Sequence, residues 1–204
     1  MNISIYKRIL NRLIRRFMIS RITQTNKIVY LTFDDGPEPN ITEFVLNELN
    51  KYGYKATFFC RGDNAQKYPK LLQRIKEDGH SIGNHTYNHL HAFNYSAIDY
   101  YNDVEKANIL LKTSLFRPPY GSLTLFSYLR LKYKYKSFFW SLNSGDSDME
   151  KYDYNRSINI LKSRTQAGDI VLFHFCLKHE KETRELLPVY IEWLNDNLYF
   201  SSKL

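Results

Sequence analysis

Two adjacent carboxylates, Asp34 and Asp35, end a short apolar run and precede a Gly-Pro turn. Residues 28–33 are β-branched and aromatic, which predicts a buried strand that presents these acids at a sheet edge or barrel mouth. Because neighbouring side chains on a strand point to opposite sides, the two carboxylates need not share one task. One could bind a metal ion while the other handles protons. Asp, Gly and Pro are also ordinary turn residues, so a purely polar turn stays open at this point.

Two histidines, His85 and His89, are four residues apart, a spacing that puts both imidazoles on one face of a helical turn. The pair alone is weak evidence, because exposed or core histidines also occur at this spacing. With Asp35 the set becomes two nitrogens and one carboxylate oxygen, which suits a catalytic zinc ion with positions left for water and substrate. Asp34 could then act as a base.

Three further residues follow predicted strands and could serve the same reaction. Arg117 precedes two prolines that stiffen its loop, and a fixed guanidinium suits holding a carboxylate such as Asp34 ionised. A surface salt bridge is the alternative for this arginine. The backbone N–H of Tyr120 could face a developing oxyanion. His174 ends an apolar run, where a histidine is more often a satisfied core residue, but at a barrel mouth it becomes a candidate general acid.

Predicted strands and helices alternate along the chain, and the residues named above follow strand ends. Strands are predicted over residues 28–33, 55–60, 80–83, 115–116, 137–142 and 169–176, with a closing strand at 198–201. Helices are predicted over residues 40–53, 63–78, 96–111, 123–131, 153–165 and 182–195, and Asn40 is expected to cap the first. The alternation indicates a parallel sheet with helical crossovers. In a closed (β/α) barrel, sites form at the C-terminal ends of the strands.

Charge is distributed unevenly along the 204 residues. Seven of the 29 basic residues and none of the 21 acidic residues lie in residues 1–27, so nearly all of the net charge of +8 belongs to this segment. The nearly neutral remainder disfavours a nucleic-acid-binding body. We expect one domain at 28–204, preceded by a basic extension at 1–27. Cys60 and Cys176 are expected to be buried free thiols, since two cysteines do not make a disulfide framework.

The basic extension is predicted to form an amphipathic helix over residues 3–19, with an apolar stripe at Ile5, Ile9, Leu13 and Phe17. Its apolar stretches are too short, and too often interrupted by Arg, for a transmembrane helix or a secretory signal, which favours a cytoplasmic protein. The helix could lie on an anionic membrane surface, which would give the protein a peripheral membrane contact through residues 1–21. Packing against its own domain, binding of a partner and disorder are the alternatives.

Taken in order, the motifs resemble those of the polysaccharide deacetylase family, the NodB-homology or carbohydrate esterase family 4 domain, over about residues 28–204. The resemblance is carried by Thr-Phe-Asp-Asp-Gly-Pro, His-Thr-Tyr-Asn-His, Arg-Pro-Pro-Tyr-Gly, a strand containing Trp140, and Leu-Phe-His. It implies an α/β fold, a distorted (β/α)7 TIM-like barrel, which the N-terminal amphipathic helix would precede. It also implies metal-dependent removal of N-acetyl, or sometimes O-acetyl, groups from amino sugars, with an acetylated saccharide as the partner.

The resemblance assigns a metal site and a base. Asp35, His85 and His89 would bind one divalent metal ion, which is usually zinc in relatives. Asp34 would be the catalytic base that deprotonates the attacking water, oriented by Arg117. The metal ion would do both Lewis-acid and water-activating work.

The resemblance also assigns an acid and the substrate contacts. His174 would protonate the leaving amine, and the backbone N–H of Tyr120 would help to stabilise the tetrahedral oxyanion. Leu172 would line the small pocket for the acetyl methyl group. Trp140 is placed with it as a substrate-binding residue.

Two positions depart from the family's pattern. Asn143 stands where an Asp usually supports the network between arginine and base, and Phe175 replaces the Asp that usually follows His174. Asp146 could substitute for the first, or the tuning of Asp34 could be weaker. Because the metal ligands and the base are intact, we expect an active enzyme with altered electrostatics around the site.

Three functions stay open on the sequence alone. The first is an N-deacetylase that acts on an acetamido-sugar-containing saccharide. If the extension binds a membrane, this substrate would be a lipid-linked or envelope-precursor glycan. The second keeps the fold and the metal ion but hydrolyses a non-sugar amide or cyclic imide. The third is a non-catalytic glycan-binding or membrane-associated protein. His80, His91 and His179 have no matched role and are expected to be structural or exposed.

Overall fold

The computed structural model describes residues 10–148 and 150–204. Strands β1 to β8 run over Ile28–Asp34, Thr57–Cys60, Ser81–Asn84, Leu115–Phe116, Lys136–Ser137, Leu142–Asn143, Ile170–His174 and Phe200–Ser201. Helices α1 to α7 run over Ile41–Lys51, Gly62–Lys67, Pro69–Glu77, Ala97–Leu111, Leu125–Leu131, Tyr154–Arg164 and Glu180–Asp196. Residues 10–15 are also helical and precede β1.

The strands form one parallel sheet, as the alternation predicted. Seven of them follow the order β5-β4-β3-β2-β1-β7-β6, and β8 pairs with the start of β1. The sheet curves into the predicted distorted (β/α)7 barrel, which is open between β5 and β6. In the pairing of β1 with its two central neighbours, Asp34 lies opposite Phe59 on β2 and opposite His174 on β7. The register therefore brings Asp34 and His174 together at the C-terminal edge of the sheet.

The predicted strand over residues 137–142 is two short strands, β5 and β6, which lie at opposite edges of the sheet. Residues 138–141 cross between these edges. The N–H of Phe138 donates to the carbonyl of Phe116 at 2.8 Å, and the N–H of Ser141 donates to the carbonyl of Ile170 at 3.1 Å. This aromatic run therefore spans the gap in the barrel. An apolar run that is buried in a crossing segment cannot be distinguished from a buried strand by its sequence alone.

Two helix predictions are corrected. The single helix predicted over residues 63–78 is α2 and α3, which are separated at Tyr68 because Pro69 cannot donate a hydrogen bond to the preceding turn. Asn40 does not cap α1, since its φ is 65° and its side chain makes no capping hydrogen bond. Ser96 caps α4, with its hydroxyl accepting from the N–H of Asp99 at 3.1 Å.

The described part of the basic extension packs against the barrel. Ile14 and Met18 are buried in a cluster with residues of α4 and α5. The N–H of Ile19 donates to the carbonyl of Ser137, and the carbonyl of Ile19 accepts from the N–H of Phe139, both at 2.9 Å. The extension thus pairs with the segment that spans the gap between β5 and β6.

The apolar stripe of the extension differs from the predicted one. Leu13 and Phe17 were assigned to it and are 47% and 64% exposed, whereas Ile14 and Met18 are buried. Residues 3–9, which include Ile5 and Ile9, lie outside the described residues. The described part of the extension therefore presents one apolar side to the barrel and a second one to solvent.

Across residues 10–148 and 150–204, no helix is long and apolar enough to cross a membrane. The predicted division into an extension at 1–27 and a domain at 28–204 stays a prediction. Cys60 and Cys176 are buried and free, as predicted.

The two sides of the extension predict different effects on stability. Ile14→Ala should lower the free energy of unfolding by about 2 to 4 kcal/mol, because it leaves a cavity at a buried site. Leu13→Ala should change it by less than about 0.5 kcal/mol, because the side chain is largely exposed. Urea denaturation of both variants measures this, and equal losses would contradict the packing described above.

Candidate active site

The centre of the site is an ion pair between Asp34 and Arg117, both of them buried. Nη1 of Arg117 donates to Oδ1 of Asp34 and to the hydroxyl of Thr32, each at 2.8 Å, and Nη2 donates to the carbonyl of Phe139 at 3.0 Å. The guanidinium carbon lies 4.2 Å from the centroid of the Phe59 ring. Burial lowers the pKa of Arg117 and the charge of Asp34 opposes this, so the guanidinium stays charged. Asp34 is therefore held in one orientation, as predicted.

The carboxylates of Asp34 and Asp35 both approach the ring of His85, and the expectation that they need not share one task stays a prediction. The φ of Asp35 is 82°, a left-handed conformation that turns the chain directly after β1. Oδ2 of Asp34 lies 3.9 Å from Nε2 of His85, and Oδ1 of Asp35 lies 3.4 Å from the same nitrogen. The two carboxylates consequently serve one site.

Asp35, His85 and His89 converge as predicted. Nε2 of His89 lies 3.0 Å from Oδ1 of Asp35. Nδ1 of His85 donates to the carbonyl of Arg117 at 2.7 Å, which leaves the lone pair of the neutral ring on Nε2. That lone pair faces Oδ1 of Asp35, a buried oxygen that has no hydrogen-bond partner among the described residues. Two acceptors that face each other fit a cation between them, so these residues suit the divalent ion that the resemblance implies.

The charge of Asp35 agrees with this arrangement. Burial alone would raise the pKa of Asp35, but the imidazoles of His85 and His89 hold it well below its usual range. Burial lowers the pKa of His89, which favours the neutral ring that a metal ion requires. An ionised Asp35 and a neutral His89 are the protonation states that metal ligands require.

His85 and His89 do not lie on a helical turn, so this part of the prediction is wrong. Residues 85–91 form a loop. Asp103 of α4 anchors it, accepting from the backbone N–H of Tyr87 at 2.8 Å and from that of the following residue at 3.0 Å. The loop still brings the two rings to a centroid distance of 5.1 Å. The carboxylate of Asp103, rather than a helical turn, therefore holds the loop that brings the two imidazoles together.

His174 faces the base from β7 and is paired with Asp146. Nδ1 of His174 lies 2.8 Å from Oδ1 of Asp146, and Oδ2 of Asp146 accepts from the backbone N–H of His174 at 2.7 Å and from the hydroxyl of Thr183 at 3.0 Å. Burial would lower the pKa of His174, but attraction to Asp146 outweighs it and raises the pKa to about 9. His174 is therefore protonated near neutral pH, the state that a proton donor needs.

The two departures from the family's pattern have separate outcomes. Asp146 partners His174 and makes no hydrogen bond to Arg117, so it does not substitute in the arginine network. Asn143 is exposed, and its side-chain oxygen accepts from the N–H of Gly145 at 2.9 Å. Phe175 is buried in the core, and a Cβ added to Gly36 would lie 2.4 Å from its ring. Phe175 thus requires a glycine in the turn after the two carboxylates.

The predicted substrate contacts line one cleft of about 640 Å³ with the residues above. Leu172 is buried at its floor, and Trp140 stacks on Phe139 with 3.8 Å between ring centroids. The exposed ring of Tyr120 lies 4.7 Å from that of His89. The cleft thus combines a small apolar wall with accessible aromatic rings.

The loop of Tyr120 is held by the basic extension, a contact that sequence reasoning missed. Nε of Arg15 donates to the carbonyl of Gly121 at 3.0 Å. The side chain of Asn11 donates to the hydroxyl of Ser122 at 3.2 Å and accepts from the N–H of Leu123, also at 3.2 Å. The extension therefore supports one wall of the cleft.

Six more polar residues line the cleft and were not predicted there: Glu38, Arg61, Ser147, Cys176, Lys178 and His179. His179 is buried beside the site, and the expectation that it is structural or exposed stays a prediction. Its position in the loop after β7 was the available signal, since sites form at the C-terminal ends of the strands.

His80 and His91 are structural, as predicted. The ring of His80 accepts from the backbone N–H of Ala56 at 3.1 Å, and the ring of His91 accepts from that of Phe93 at 3.3 Å.

A parallel barrel that gathers acids, imidazoles and a buried arginine at its C-terminal edge defines a metal-dependent hydrolase. Residues 21–135 match the family model described as "Polysaccharide deacetylase". A peptidoglycan-N-acetylglucosamine deacetylase of Bacillus cereus is 35% identical over 159 residues, which cover 75% of each chain. A chitooligosaccharide deacetylase of Azorhizobium caulinodans is 31% identical over 163 residues, which cover 76% of this chain and 77% of that protein. The chain belongs to the polysaccharide deacetylase family.

Solved structures agree with this assignment. A peptidoglycan N-acetylglucosamine deacetylase in complex with a benzamide ligand superposes with a TM-score of 0.85 at 26% identity, covering 94% of this chain and 92% of that one. A family 4 carbohydrate esterase from Streptomyces lividans, in complex with acetate, gives a TM-score of 0.75 at 25% identity over 87% and 92% of the two chains. Two further B. cereus relatives are matched over only 37% and 59% of their own length. The predicted family, fold and enzyme class, a carbohydrate N-deacetylase, are confirmed.

The pairing of His174 predicts a measurable titration. In Asp146→Asn, the pKa of His174 should fall from about 9, because burial is then opposed only by the weaker attraction to Asp35 and Asp34. Nuclear magnetic resonance of the imidazole carbons measures it. His80 is the control, because burial lowers its pKa to about 4 independently of Asp146. A His174 titration that does not move would show that Asp146 is not the cause.

Proposed function

We propose that this chain is a zinc-dependent N-deacetylase that acts on an acetamido-sugar-containing saccharide of the peptidoglycan or chito-oligosaccharide type. The observation that carries the proposal is the register of β1 and β7, which sets the base Asp34 opposite the acid His174 beside a cluster of metal donors. The names of the relatives, which are peptidoglycan and chitooligosaccharide deacetylases, support the substrate class.

The base works through one oxygen of its carboxylate. Oδ1 of Asp34 is bound to Arg117, so Oδ2, which lies 3.9 Å from Nε2 of His85, is the oxygen directed at the metal donors. We assign to Oδ2 the removal of a proton from the attacking water. Arg117 keeps the carboxylate aimed during this step.

The acid works through the nitrogen that Asp146 does not hold. Nδ1 of His174 is engaged by Asp146, so Nε2–H is the proton given to the leaving amine. On the substrate side, Leu172 and Trp140 would receive the acetyl methyl group. The backbone N–H of Tyr120 would donate to the oxyanion.

Asp35, His85 and His89 would hold the metal ion. Two imidazoles and one carboxylate are a ligand set of catalytic zinc sites, which is why we propose zinc. When bound, the ion supplies Lewis acidity at the amide carbonyl and favours the ionisation of water.

The test of the base is Asp34→Asn in the full chain. Acetate release from acetylated chito-oligosaccharides and from peptidoglycan should fall by about 10²- to 10⁴-fold, the usual contribution of a positioned base. Bound zinc, measured by elemental analysis, should stay unchanged. Asp35→Asn is the control, because it should lose zinc and activity together. A wild-type protein that releases no acetate from any acetylated saccharide would refute the proposal.

We further propose that the enzyme works at an anionic membrane surface. Its docking face combines exposed basic residues with exposed apolar residues of the extension, of α5 and of the residues that follow α5: Arg12, Leu13, Arg16, Phe17, Leu125, Phe126, Leu129, Arg130, Lys132, Tyr133 and Lys136. The ring of Phe17 stacks on that of Tyr128 with 5.7 Å between centroids, which joins the extension to α5.

The positive charge of the docking face supports binding to an anionic membrane. Residues 1–27 and 106–145 contain no Asp or Glu. Basic residues near an anionic leaflet contribute about 1 kcal/mol each, and exposed aromatic rings suit the interface. The face also adjoins the cleft, because Arg15 of the extension holds Gly121 in the loop of Tyr120. A glycan carried at the membrane would thus be near the site. The cytoplasmic compartment stays a prediction.

Vesicle flotation tests the docking face. The protein should bind vesicles that contain phosphatidylglycerol, bind phosphatidylcholine vesicles less, and be released by salt. The double variant Phe17→Ser and Phe126→Ser should bind at least about tenfold more weakly, because a buried aromatic side chain is worth about 1.5 to 3 kcal/mol. Leu198→Asn removes an exposed apolar side chain outside the docking face and should have no effect. Equal binding by all three proteins would rule out this face.

A further inference from the structure

A second set of metal donors shares Asp35 with the predicted metal site. Ligand atoms of Asp35, Cys176 and His179 all lie within 4.8 Å of one another. Sγ of Cys176 is 3.9 Å from Oδ2 of Asp35, whereas the nitrogens of His85 and His89 approach Oδ1. One oxygen of this carboxylate therefore approaches the two imidazoles, and the other approaches the thiol of Cys176.

His179 points to a ligand for this second set. Its side chain is 4% exposed, and its Nδ1 is buried without a hydrogen-bond partner among the described residues. Buried polar atoms in native proteins are normally satisfied, so an unpartnered one requires an explanation. The ring lies 5.2 Å from that of His174 and lines the same cleft. A bound cation would satisfy this nitrogen.

The backbone holds these donors in place. Cys176 precedes a single helical turn, Leu177–His179, and its carbonyl accepts from the N–H of His179 at 3.1 Å. The carboxylate of Glu38, in the loop after β1, accepts from the N–H of Leu177. The turn after β7 is thus fixed to the turn that carries Asp35, so the donors need little rearrangement.

We propose that Asp35, Cys176 and His179 form a second, inhibitory cation site for thiophilic divalent ions, with zinc in excess as the first example. A thiolate, an imidazole and a carboxylate oxygen suit zinc or cadmium and disfavour magnesium or calcium. Binding forms one sulfur–metal bond, breaks the S–H bond and releases its proton to solvent. Asp35 would then bridge two ions, one through each oxygen.

Inhibition follows from the position of this second site. Cys176, His179 and His174 line the same part of the cleft, so an ion bound there takes the space beside His174 that the leaving amine needs. This effect on activity rests on the proposed deacetylase function. Binding of the ion does not rest on it, and the two are measured separately.

Cobalt titration of the full chain tests the ligands. Co²⁺ bound to a thiolate absorbs in the near ultraviolet through sulfur-to-metal charge transfer, whereas nitrogen and oxygen ligands do not give this band. Wild type should show the band and Cys176→Ser should lose it. Cys60→Ser is the matched control, because the other cysteine lies buried in β2, and it should keep the band. His179→Ala should weaken the cobalt affinity read from the band by at least about 10- to 100-fold, the usual cost of losing even an outer-sphere partner.

Acetate release tests the effect of the site. Each protein is assayed at one equivalent of Zn²⁺ and at an excess of Zn²⁺. The excess should inhibit wild type, and it should inhibit Cys176→Ser much less. Absence of the band in wild type, its persistence in Cys176→Ser, or equal inhibition of the two proteins would overturn the proposal. Release at one equivalent of Zn²⁺ reports on the proposed function independently, since the cobalt band does not depend on turnover.

Discussion

The buried pair of Arg117 and Asp34 is the interaction on which the rest of the site depends. A guanidinium removed from water costs several kcal/mol unless it is paired and hydrogen-bonded. Here the carboxylate, the hydroxyl of Thr32 and the carbonyl of Phe139 meet that requirement, with Phe59 beneath the charge. These partners come from β1, from β2 and from the segment that spans the gap in the barrel. The segment that spans the gap in the barrel therefore also helps to hold Arg117 and, through it, Asp34.

Separate partners let an acid and a base lie side by side without neutralising each other. Asp34 and His174 are direct neighbours in the register of β1 and β7. Arg117 engages the carboxylate and Asp146 engages the imidazole, each through a short hydrogen bond of 2.8 Å. Two titratable groups with different surroundings can then hold opposite protonation states at one pH, which acid–base catalysis requires.

Motifs at strand ends were predictable from the sequence, because an apolar run indicates a strand and the polar turn after it marks the end of that strand. Asp34, Asp35, His85 and His89 were singled out in this way. The sequence did not show that Asp103 would shape the loop of His85 and His89, since that carboxylate lies on a helix further along the chain. The location of Cys176 and His179 in the cleft was missed as well. It depends on how the turn after β7 packs against the loop after β1, and local pattern carries no information on such contacts.

The contacts of Asn11 and Arg15 with the loop of Tyr120 bear on how family boundaries are used. The match to the family begins at residue 21 and therefore leaves out both side chains, together with the buried Ile14. A protein that began at residue 21 and kept its C-terminal part would retain Asp34, Asp35, His85, His89 and His174 while losing the support of one wall of the cleft. Kinetic constants from such a trimmed protein would describe a different catalyst, although its active-site sequence would be identical.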